Sequence, residues 1–588
     1  MKQIIELIEL EIAKAFEQAG YGKELAKVTI SNRPDLCEYQ CNGAMAGAKT
    51  YHKAPIMIAE DVVAHLQGSD CFAKAEAVKP GFINLNLKEE FVADYVNQMA
   101  EDDNLGLEQA ENPEMIVIDY GGPNVAKPLH VGHLRSAVIG ESVKRMFRKM
   151  GHKVLGDIHL GDWGYQMGLI ITELKKRKPE LPYYDESYTG DYPEEAPFTI
   201  SELEEIYPTA SGYAKEHEDY REEALHATYL LQNGHRGYRA LWNHIVNISV
   251  ADIKKNYQRL NVEFDLWKGE SDAQKYIPDM LEQFKKDGFA RLDDGALVID
   301  VKEETDTKEI PPCLIQKSDG ASLYGTTDLA TLIQREEDYK PNRVVYLADK
   351  RQEMHFTQVF RAAKKTGIVP ASTELKFIGF GTMNGKDGKP FKTREGGVMR
   401  LENLIAEINQ KMYQKITDNR TIEGAEAEEA AQKVGLAALK YGDLSNQAGK
   451  DYVFDIDRFT SFEGNTGPYI LYTIVRIKSI LNKYKENGGV TEGIHCNIPS
   501  ADCEKALMLE VGKYNAVMKT AAMETAPHKI CAYIYDLANV FNRFYHETKI
   551  LAEEDEAKKA GYIALLTLTK EVLESCIDVL GFEAPERM

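Results

Sequence analysis

The sequence lacks the cysteine patterns that mark a disulfide framework or a structural zinc site. Its eight cysteines are scattered through 588 residues, and none stands in a CxxC motif. The closest pair, Cys37 and Cys41, has no nearby set of further cysteines and histidines. We therefore expect reduced thiols in a cytoplasmic protein, without disulfides and without structural zinc.

Long apolar runs and positive net charge are also missing. No stretch approaches the roughly 18 apolar residues of a membrane span. The first segment, "MKQIIELIELEIAKAFEQAG", has the pattern of an acidic amphipathic helix and not of a secretory signal. A net charge of −22 argues against nonspecific coating of a polyanion, although it permits a local basic strip. We expect no association with a membrane.

What is present divides into segments of different character. Residues 1–108 combine helical patterns with an alternating segment, Pro80–Leu87, and predict an α+β module. Residues 109–400 alternate strand and helix patterns, and residues 401–461 predict a helical linker. Residues 462–588 contain helices with one apolar stripe each, which is typical of an antiparallel helical bundle.

The middle segment predicts a doubly wound, Rossmann-like α/β domain that binds its ligand at the carboxyl ends of parallel strands. A strand at 115–120, a helix at about 130–150 and a strand at 152–158 suit a βαβ unit. Further strands are predicted at 296–301, 343–349 and 376–380. The polar, tyrosine- and glutamate-rich segment at about 179–239 is interpreted as an insertion.

The first strand of this domain is followed by "GPNVAKPLHVGHLRSAVIG", Gly122 to Gly140. A helix N-terminus offers free N–H groups to a phosphate. His130 and His133 share one face of the first turn, and Gly132 leaves room for a planar base. Residues 120–155 hold seven lysines and arginines against one acid. We interpret this junction as a nucleotide phosphate site, the alternative being a solvated helix end.

A second basic loop, residues 381–400, follows the last predicted strand. Its glycines and lysines suit a loop that closes over a triphosphate. Taken alone, the loop is equally typical of a charged hairpin.

Together these segments resemble the HIGH and KMSKS signatures of class I aminoacyl-tRNA synthetases, and in detail the chain resembles arginyl-tRNA synthetases. The matching segments occur in one order along the whole chain: "PNVAKPLHVGHLRS", "HLGDWG", "SDGASLYGTTDLA", "RQEMHFTQVF", "GKDGKPFKTREGG", "EGNTGPY" and "APERM". The resemblance implies ATP-dependent ligation of L-arginine to tRNA(Arg) through an arginyl-adenylate, with Mg²⁺ accompanying ATP, by a monomeric enzyme.

The resemblance also implies roles at the phosphates. His130 and His133 would stabilise the pentavalent transition state, and Gly132 would contact ATP. The second loop departs from the KMSKS consensus: "KPFKT" keeps Lys389 and Lys392, but a register shifted to Thr393 and Arg394 loses the second lysine. Relatives with such loops use a lysine ahead of the HIGH motif, so Lys127 and Lys392 would share the phosphate role.

Arginine recognition demands carboxylates and a hydroxyl, because the guanidinium has five donors and a permanent charge. The resemblance places Glu270, Tyr324 and Asp328 around the guanidinium, and Asn124 and Gln352 near the α-amino and carboxylate groups. Asp328 could instead be a helix N-cap, and Glu270 a surface acid.

Contacts with tRNA are implied at both ends of the chain. Phe82 would stack on a D-loop base that Asn84 hydrogen-bonds, although Phe82 could instead be a core residue. Tyr469 and Arg476, seven residues apart on one helix face, match anticodon-contacting positions. The alternative for this pair is bundle packing plus a solvated arginine.

Three other protein classes share parts of this pattern. Small nucleotidyltransferases also carry HxGH after a strand, but they lack the second loop and the helical tail. Synthetases for cysteine or methionine often carry zinc ligands, and a glutamate enzyme would need basic residues at Glu270 and Asp328. A non-catalytic tRNA-binding relative would have no use for His130 and His133.

Overall fold

The computed structural model describes residues 1–318, 320–389, 399–418 and 422–588. The chain divides into two compact units. The first, which we call the terminal unit, comprises Met1–Gln109, Phe462–Asp578 and Glu583–Met588. The second, the central unit, comprises Ala110–Ser461 and Val579–Phe582.

The amino-terminal part of the terminal unit is an antiparallel four-stranded sheet with helices. Its helices are α1 (Ile4–Gln18), α2 (Gly43–Tyr51), α3 (Pro55–Ala64) and α4 (Glu89–Glu101). Its strands are β1 (Val28–Ile30), β2 (Tyr39–Cys41), β3 (Phe72–Val78) and β4 (Phe82–Leu87), in the order β1-β2-β4-β3. The α+β class predicted for this segment is confirmed.

Strand β4 alternates between two environments, as its sequence predicts. Ile83, Leu85 and Leu87 are fully buried in the core. Phe82 and Asn84 lie on the opposite, partly exposed face. Phe82 is therefore not a core residue, which removes the alternative interpretation of that position.

The central unit alternates helices and strands. Its helices are α5 (Val131–Lys149), α6 (Tyr165–Arg177), α7 (Ile200–Glu216), α8 (Glu218–Gln232), α9 (Arg236–Arg259), α10 (Glu270–Ala273), α11 (Ile277–Lys286), α12 (Tyr324–Tyr339), α13 (Glu353–Thr366), α14 (Leu401–Asp418), α15 (Gly424–Leu444) and α16 (Ile456–Phe459). Its strands are β5 (Met115–Asp119), β6 (Lys153–Asp157), β7 (Ala290–Asp293), β8 (Ala296–Ile299), β9 (Cys313–Gln316), β10 (Arg343–Asp349), β11 (Glu374–Phe380), β12 (Met383–Asn384) and β13 (Tyr452–Val453).

The main sheet of this unit has the order β11-β10-β5-β6, and every neighbouring pair is parallel. Ile116, Val117 and Ile118 of the central strand β5 are 0% exposed, because helices cover both faces of a parallel sheet. The predicted βαβ unit and the predicted strands β10 and β11 are confirmed, and so is the doubly wound class.

One predicted strand belongs elsewhere. Residues 296–301 were expected in the parallel sheet, but β8 lies in a separate antiparallel sheet with the order β7-β8-β9. The reason is local: Asp294 and Gly295, with φ of 48° and 81°, form the two-residue turn of a β7–β8 hairpin. An Asp-Gly pair between two short strands favours this turn.

The carboxyl-terminal part of the terminal unit is helical, as expected. Its helices are α17 (Gly467–Glu486), α18 (Asp502–Val511), α19 (Tyr514–Glu524), α20 (Pro527–Glu547) and α21 (Glu556–Leu580). The apolar stripe predicted on α17 is buried: Ile470, Ile474 and Ile477 are 0% exposed.

All eight cysteines lie in the described part of the chain, and each is a buried free thiol. Among the described residues, no helix combines the length and the apolar character that crossing a bilayer requires.

Candidate active site

The junction between β5 and α5 is fixed by backbone hydrogen bonds to the segment that follows β6. Val125 N–H donates to the Gly161 carbonyl at 3.0 Å, and Gly161 N–H donates to the Pro123 carbonyl at 3.1 Å. The two strands are neighbours in the parallel sheet, so their carboxyl ends meet at one edge. The HxGH segment therefore lies where an open α/β sheet binds its ligand.

The two histidines cap the helix that they begin. His130 is the N-cap of α5, and its Nδ1 accepts a hydrogen bond from Gly132 N–H at 3.0 Å. His133 Nδ1 accepts from His130 N–H at 3.1 Å, and the two ring centroids are 4.0 Å apart. Because both Nδ1 atoms are acceptors, each neutral ring carries its proton on Nε2. Both Nε2–H groups can donate to a ligand.

Glycine at position 132 is needed for this arrangement. A Cβ atom there would lie 2.7 Å from His130 Cε1 and 2.8 Å from His130 Nδ1. Such a contact would turn the imidazole away from its capping position. Gly132 itself is exposed, so its backbone face is open to a ligand.

Electrostatics keep both rings neutral. Burial, together with the nearby His130 and Lys127, lowers the pKa of His133 to about 3, while the hydrogen bond from the His130 backbone opposes this change. The pKa of His130 is lowered by burial and then by Lys127. At neutral pH the pair therefore offers two polarised N–H donors to an anion and no labile proton.

Lys127 supplies the cation of the site. Its Nζ lies 4.3 Å from the ring centroid of Tyr207 on α7, at the edge of the two histidines. The ammonium is thus held above an aromatic face and is close enough to both imidazoles to affect their titration.

The end of the second basic loop is hydrogen-bonded to the start of α5. Val131 N–H donates to the Met399 carbonyl at 3.0 Å, and Leu401 N–H donates to the Leu129 carbonyl at 2.9 Å. Lys389 is exposed, and its N–H donates to Asp387 Oδ1 at 3.1 Å in a turn. Lys392 and the two candidate registers of the loop lie outside the described residues.

A cluster of Glu270, Tyr324 and Asp328, which we call the acidic pocket, lies beside this edge of the sheet. Burial, with additional repulsion from Asp162 and Asp328, raises the pKa of the Glu270 carboxyl to about 7, while His159 opposes the rise. The backbone N–H of Glu270 donates to the Leu160 carbonyl at 3.0 Å. Glu270 is thus a partly buried acid at the first residue of α10 and not an isolated surface acid.

Tyr324 and Asp328 face the same pocket from α12. Tyr324 is 74% exposed, and the pKa of its hydroxyl is raised by desolvation and then by Glu270, Tyr207 and Asp328. The structure therefore brings Glu270, Tyr324 and Asp328 together. The alternative that Asp328 is an N-cap is wrong: the N-cap of α12 is Leu323, and Asp328 lies in the second turn.

The remaining candidates for arginine binding lie at the same edge of the sheet. The Asn124 side chain lies over Gly161, where a Cβ atom would meet Asn124 Oδ1 at 2.0 Å. Gln352 is exposed at the start of α13, after β10, the strand that pairs with β5.

Two residues at this site were not singled out from the sequence. His355 Nε2 is 2.5 Å from Asp328 Oδ2, and Tyr207 contacts Lys127. His355 stands inside the segment "RQEMHFTQVF" that carried the resemblance. Tyr207 lies in the insertion, and no motif pointed to it.

The candidate tRNA contacts lie in the terminal unit. Asn84 Oδ1 accepts from Gln40 Nε2 at 2.8 Å on the partly exposed face of the sheet, which Phe82 shares. This face combines an aromatic ring with amides, which are groups that can stack on a base and hydrogen-bond its edge.

Tyr469 and Arg476 belong to one network with α20. Asn542 Nδ2 donates to Tyr469 Oη at 2.7 Å, and Arg476 NH1 donates to Asn542 Oδ1 at 3.0 Å. The Arg476 guanidinium lies 4.8 Å from the ring centroid of Tyr472 and 5.0 Å from that of Tyr545. Arg476 is thus held against α20, a contact that the bundle-packing alternative also predicts for this pair.

Family models match most of the chain. Residues 95–456 match the catalytic domain of class I tRNA synthetases (R), residues 470–588 the DALR anticodon binding domain, and residues 2–87 the arginyl tRNA synthetase N terminal domain. The parallel sheet, its HxGH edge and these matches define a class I aminoacyl-tRNA synthetase.

Known proteins narrow this class. An arginine–tRNA ligase from Agathobacter rectalis is 65% identical and one from Alkaliphilus oremlandii is 57% identical, each covering 100% of both chains. The crystal structure of the arginyl-tRNA synthetase from Plasmodium falciparum has a TM-score of 0.81 at 25% identity and covers 100% of both chains. The chain therefore belongs to the arginyl-tRNA synthetase family, and its activity is arginine–tRNA ligation with the use of ATP.

Proposed function

We propose that the β5–α5 junction binds the phosphates of Mg-ATP and that the acidic pocket beside it binds the guanidinium of arginine. One observation carries this proposal. Two neutral Nε2–H donors and the Lys127 ammonium stand next to a cluster of carboxylates in which the pKa of Glu270 is raised to about 7. The anionic and cationic substrates thus meet complementary charge at adjacent positions.

The chemistry proceeds in two displacements. A carboxylate oxygen of arginine forms a bond to the α-phosphorus of ATP as the bond to the pyrophosphate oxygen breaks, and the arginyl-adenylate results. A ribose hydroxyl at the 3′ end of tRNA(Arg) then attacks the arginyl carbonyl carbon and forms an ester. Its proton passes to the departing phosphate, and the bond between the carbonyl carbon and the phosphate oxygen breaks to release AMP. His130 and His133 donate to the crowded α-phosphate, while Lys127 and Lys392 share the charge of the leaving pyrophosphate. Lys389 adds a further positive charge to this loop.

Arginine selection follows from the charges of the pocket. Glu270 and Asp328 accept from the guanidinium, and the Tyr324 hydroxyl completes the set. Asn124 and Gln352 bind the α-amino and carboxylate groups. Hydrogen bonds to charged groups are worth about 1.5–3 kcal/mol each, so uncharged amino acids are rejected without an editing domain.

The terminal unit supplies the tRNA contacts of the proposal. Phe82 stacks on a D-loop base and Asn84 hydrogen-bonds that base, supported by their position on one partly exposed face of β4. Tyr469 and Arg476 contact the anticodon, supported by their shared network with Asn542.

The remaining parts of the proposal concern metal ions, the oligomeric state and the location in the cell. Mg²⁺ enters as part of the Mg-ATP substrate, and the enzyme holds no structural zinc. Over the described ranges, no group of three or more histidines, cysteines and acids is placed to hold a metal ion. The enzyme acts as a monomer in the cytoplasm, and its thiols remain reduced.

The test is arginine-dependent exchange of pyrophosphate into ATP, with and without tRNA(Arg). We expect exchange only when tRNA is present, because this family requires its tRNA for activation. E270Q and D328N should raise the KM for arginine and leave the KM for ATP unchanged. D279N, which alters an exposed acid on neighbouring α11, is the matched control. No exchange with arginine in a folded sample would contradict the proposal, and equal effects on both KM values would contradict the assigned pocket.

A further inference from the structure

The insertion helix α7 carries two side chains that contact the cationic residues on either side of the HxGH segment. The Tyr207 ring centroid lies 4.3 Å from Lys127 Nζ. Glu204 Oε2 lies 2.7 Å from Arg400 NH1. Glu204 and Tyr207 are three residues apart, so both project from one face of the helix.

The two contacted cations are tied directly to His130. Lys127 precedes it by three residues in the β5–α5 junction. Arg400 is paired with His130 in an antiparallel backbone bridge, at the point where the second basic loop rejoins α5. One face of α7 thus reaches both chain segments that hold the phosphate-binding end of α5.

Helix α7 is itself firmly anchored. Thr199 and Glu202 form a reciprocal capping box at its start, and Lys178 pairs with Glu202 at 3.0 Å. Its apolar side is buried, with Leu203 and Ala210 0% exposed. A helix held in this way can fix the position of the side chains that it contacts.

Tyr207 also stands between the two halves of the site. It lies near enough to Tyr324, on the arginine side, to contribute to the raised pKa of that hydroxyl, after burial and Glu270. Its ring face is occupied by the ammonium of Lys127, on the phosphate side. A free lysine has a long flexible stem, and contact with an aromatic face restricts the range of its ammonium.

We propose that Tyr207 and Glu204 are positioning residues for ATP: Tyr207 holds the Lys127 ammonium at the phosphates, and Glu204 holds Arg400 where the basic loop meets His130. The insertion therefore takes part in nucleotide binding through α7. This inference rests on the phosphate role proposed above for Lys127.

The test measures KM values for ATP and for arginine in pyrophosphate exchange with tRNA present. Y207L removes the aromatic face, and we expect the KM for ATP to rise about fivefold. The KM for arginine should stay within about twofold, since the ring contacts the lysine and not the guanidinium acids. Y207F keeps the ring face and should restore most of the affinity for ATP. E204Q, which removes only the charge, should raise the KM for ATP in the same direction.

A matched control exists on the same helix. Tyr213 makes the same kind of contact, its ring centroid lying 4.4 Å from Lys176 Nζ, and it is 40% exposed. Y213L should leave both KM values unchanged. If Y213L raises the KM for ATP as much as Y207L does, the effect belongs to the helix as a whole and the assignment of Tyr207 is wrong.

A double-variant cycle separates this inference from the proposed role of Lys127. K127A should raise the KM for ATP, and Y207L should add nothing in the K127A background. Additive effects of the two changes would overturn the proposal, since Tyr207 would then act independently of Lys127. If K127A alone leaves the KM for ATP unchanged, the phosphate role proposed for Lys127 is contradicted, and so is the positioning role proposed for Tyr207. If Y207L does not fold, E204Q carries the test through the Arg400 contact, and an unchanged KM for ATP in E204Q would overturn the proposal.

Discussion

Replacing Glu270 with glutamine tests whether arginine binding depends on the ionisation of one carboxyl group. In the arginine-free pocket the pKa of Glu270 is raised to about 7 by burial and then by Asp162 and Asp328, against the opposing effect of His159. A guanidinium binds the carboxylate and not the neutral acid. If Glu270 binds the guanidinium as proposed, arginine must displace a proton from this carboxyl whenever the pH is near or below 7.

The size of the effect follows from the ionised fraction. With a pKa of about 7, roughly half of the Glu270 carboxyls are ionised at pH 7 and about one tenth at pH 6. The apparent Kd for arginine is divided by this fraction, so affinity at pH 6 should be about tenfold weaker than at pH 8. E270Q should bind arginine more weakly at pH 8, and its affinity should vary little between pH 6 and pH 8.

Isothermal titration in two buffers of different ionisation enthalpy measures the released proton. We expect about half a proton released per arginine at pH 7 for the wild type and almost none for E270Q. D328N removes a charge that raises the pKa of Glu270, so it should move the pH profile towards lower pH. Equal proton release by the wild type and E270Q would refute the reasoning.

The raised pKa of Glu270 also predicts that the folded protein without arginine becomes less stable as the pH rises. Because the pKa of Glu270 in the folded protein lies above its ordinary value of 4.5, the folded state binds the proton more tightly than the unfolded chain. Stability is therefore lost as the pH rises from about 4.5 through 7. Without arginine, E270Q should be more stable than the wild type at pH 8 by up to about 3 kcal/mol, measured by urea unfolding. An unchanged or lower stability would contradict the buried position of this acid.

Three further predictions concern other parts of the chain. G132A should lower kcat for pyrophosphate exchange on the order of 100-fold, because a Cβ atom 2.7 Å from His130 Cε1 displaces a transition-state donor; a kcat within threefold of the wild type would contradict this. N542L removes the amide that is hydrogen-bonded to Arg476. It should raise the KM for tRNA about fivefold without changing pyrophosphate exchange at saturating tRNA. Loss of exchange at saturating tRNA would indicate misfolding. Burial lowers the pKa of Lys440 to about 7, so the unfolded chain binds this proton more tightly than the folded state does. The free energy of unfolding in urea should therefore rise by about 2 kcal/mol from pH 7 to pH 9, and K440M should lack this rise.

The local sequence pattern was sufficient to predict the elements around the HxGH segment. The apolar run at 115–120 gave β5, and the HxGH segment gave the start of α5, because strand burial and helix capping depend on residues within a few positions. The Nδ1 hydrogen bonds that set both tautomers also join atoms of residues 130–133. The turn at Asp294 and Gly295 also has a local sequence signal. The prediction nevertheless placed β8 in the wrong sheet, because the sequence of a short apolar strand does not show which strand it pairs with.

The acidic pocket depended on the tertiary structure. Glu270 and Asp328 are 58 positions apart in the sequence. Their proximity follows from the packing of α10 and α12, and it adds to the rise in the pKa of Glu270 that burial causes. Sequence resemblance supplied these residues as candidates, but neither composition nor spacing could show their mutual repulsion or the contact between Asp328 and His355.

The contact of Tyr207 with Lys127 shows most clearly the difference between what the sequence predicts and what only the tertiary structure decides. The sequence by itself determined the class of the fold, the HxGH turn and the family of the enzyme, because these depend on local periodicity and on motifs in one order. Only the tertiary structure decided that a tyrosine 80 positions beyond Lys127, in a polar insertion, covers its ammonium. A contact between distant segments depends on the packing of whole helices, and no local pattern of residues records it.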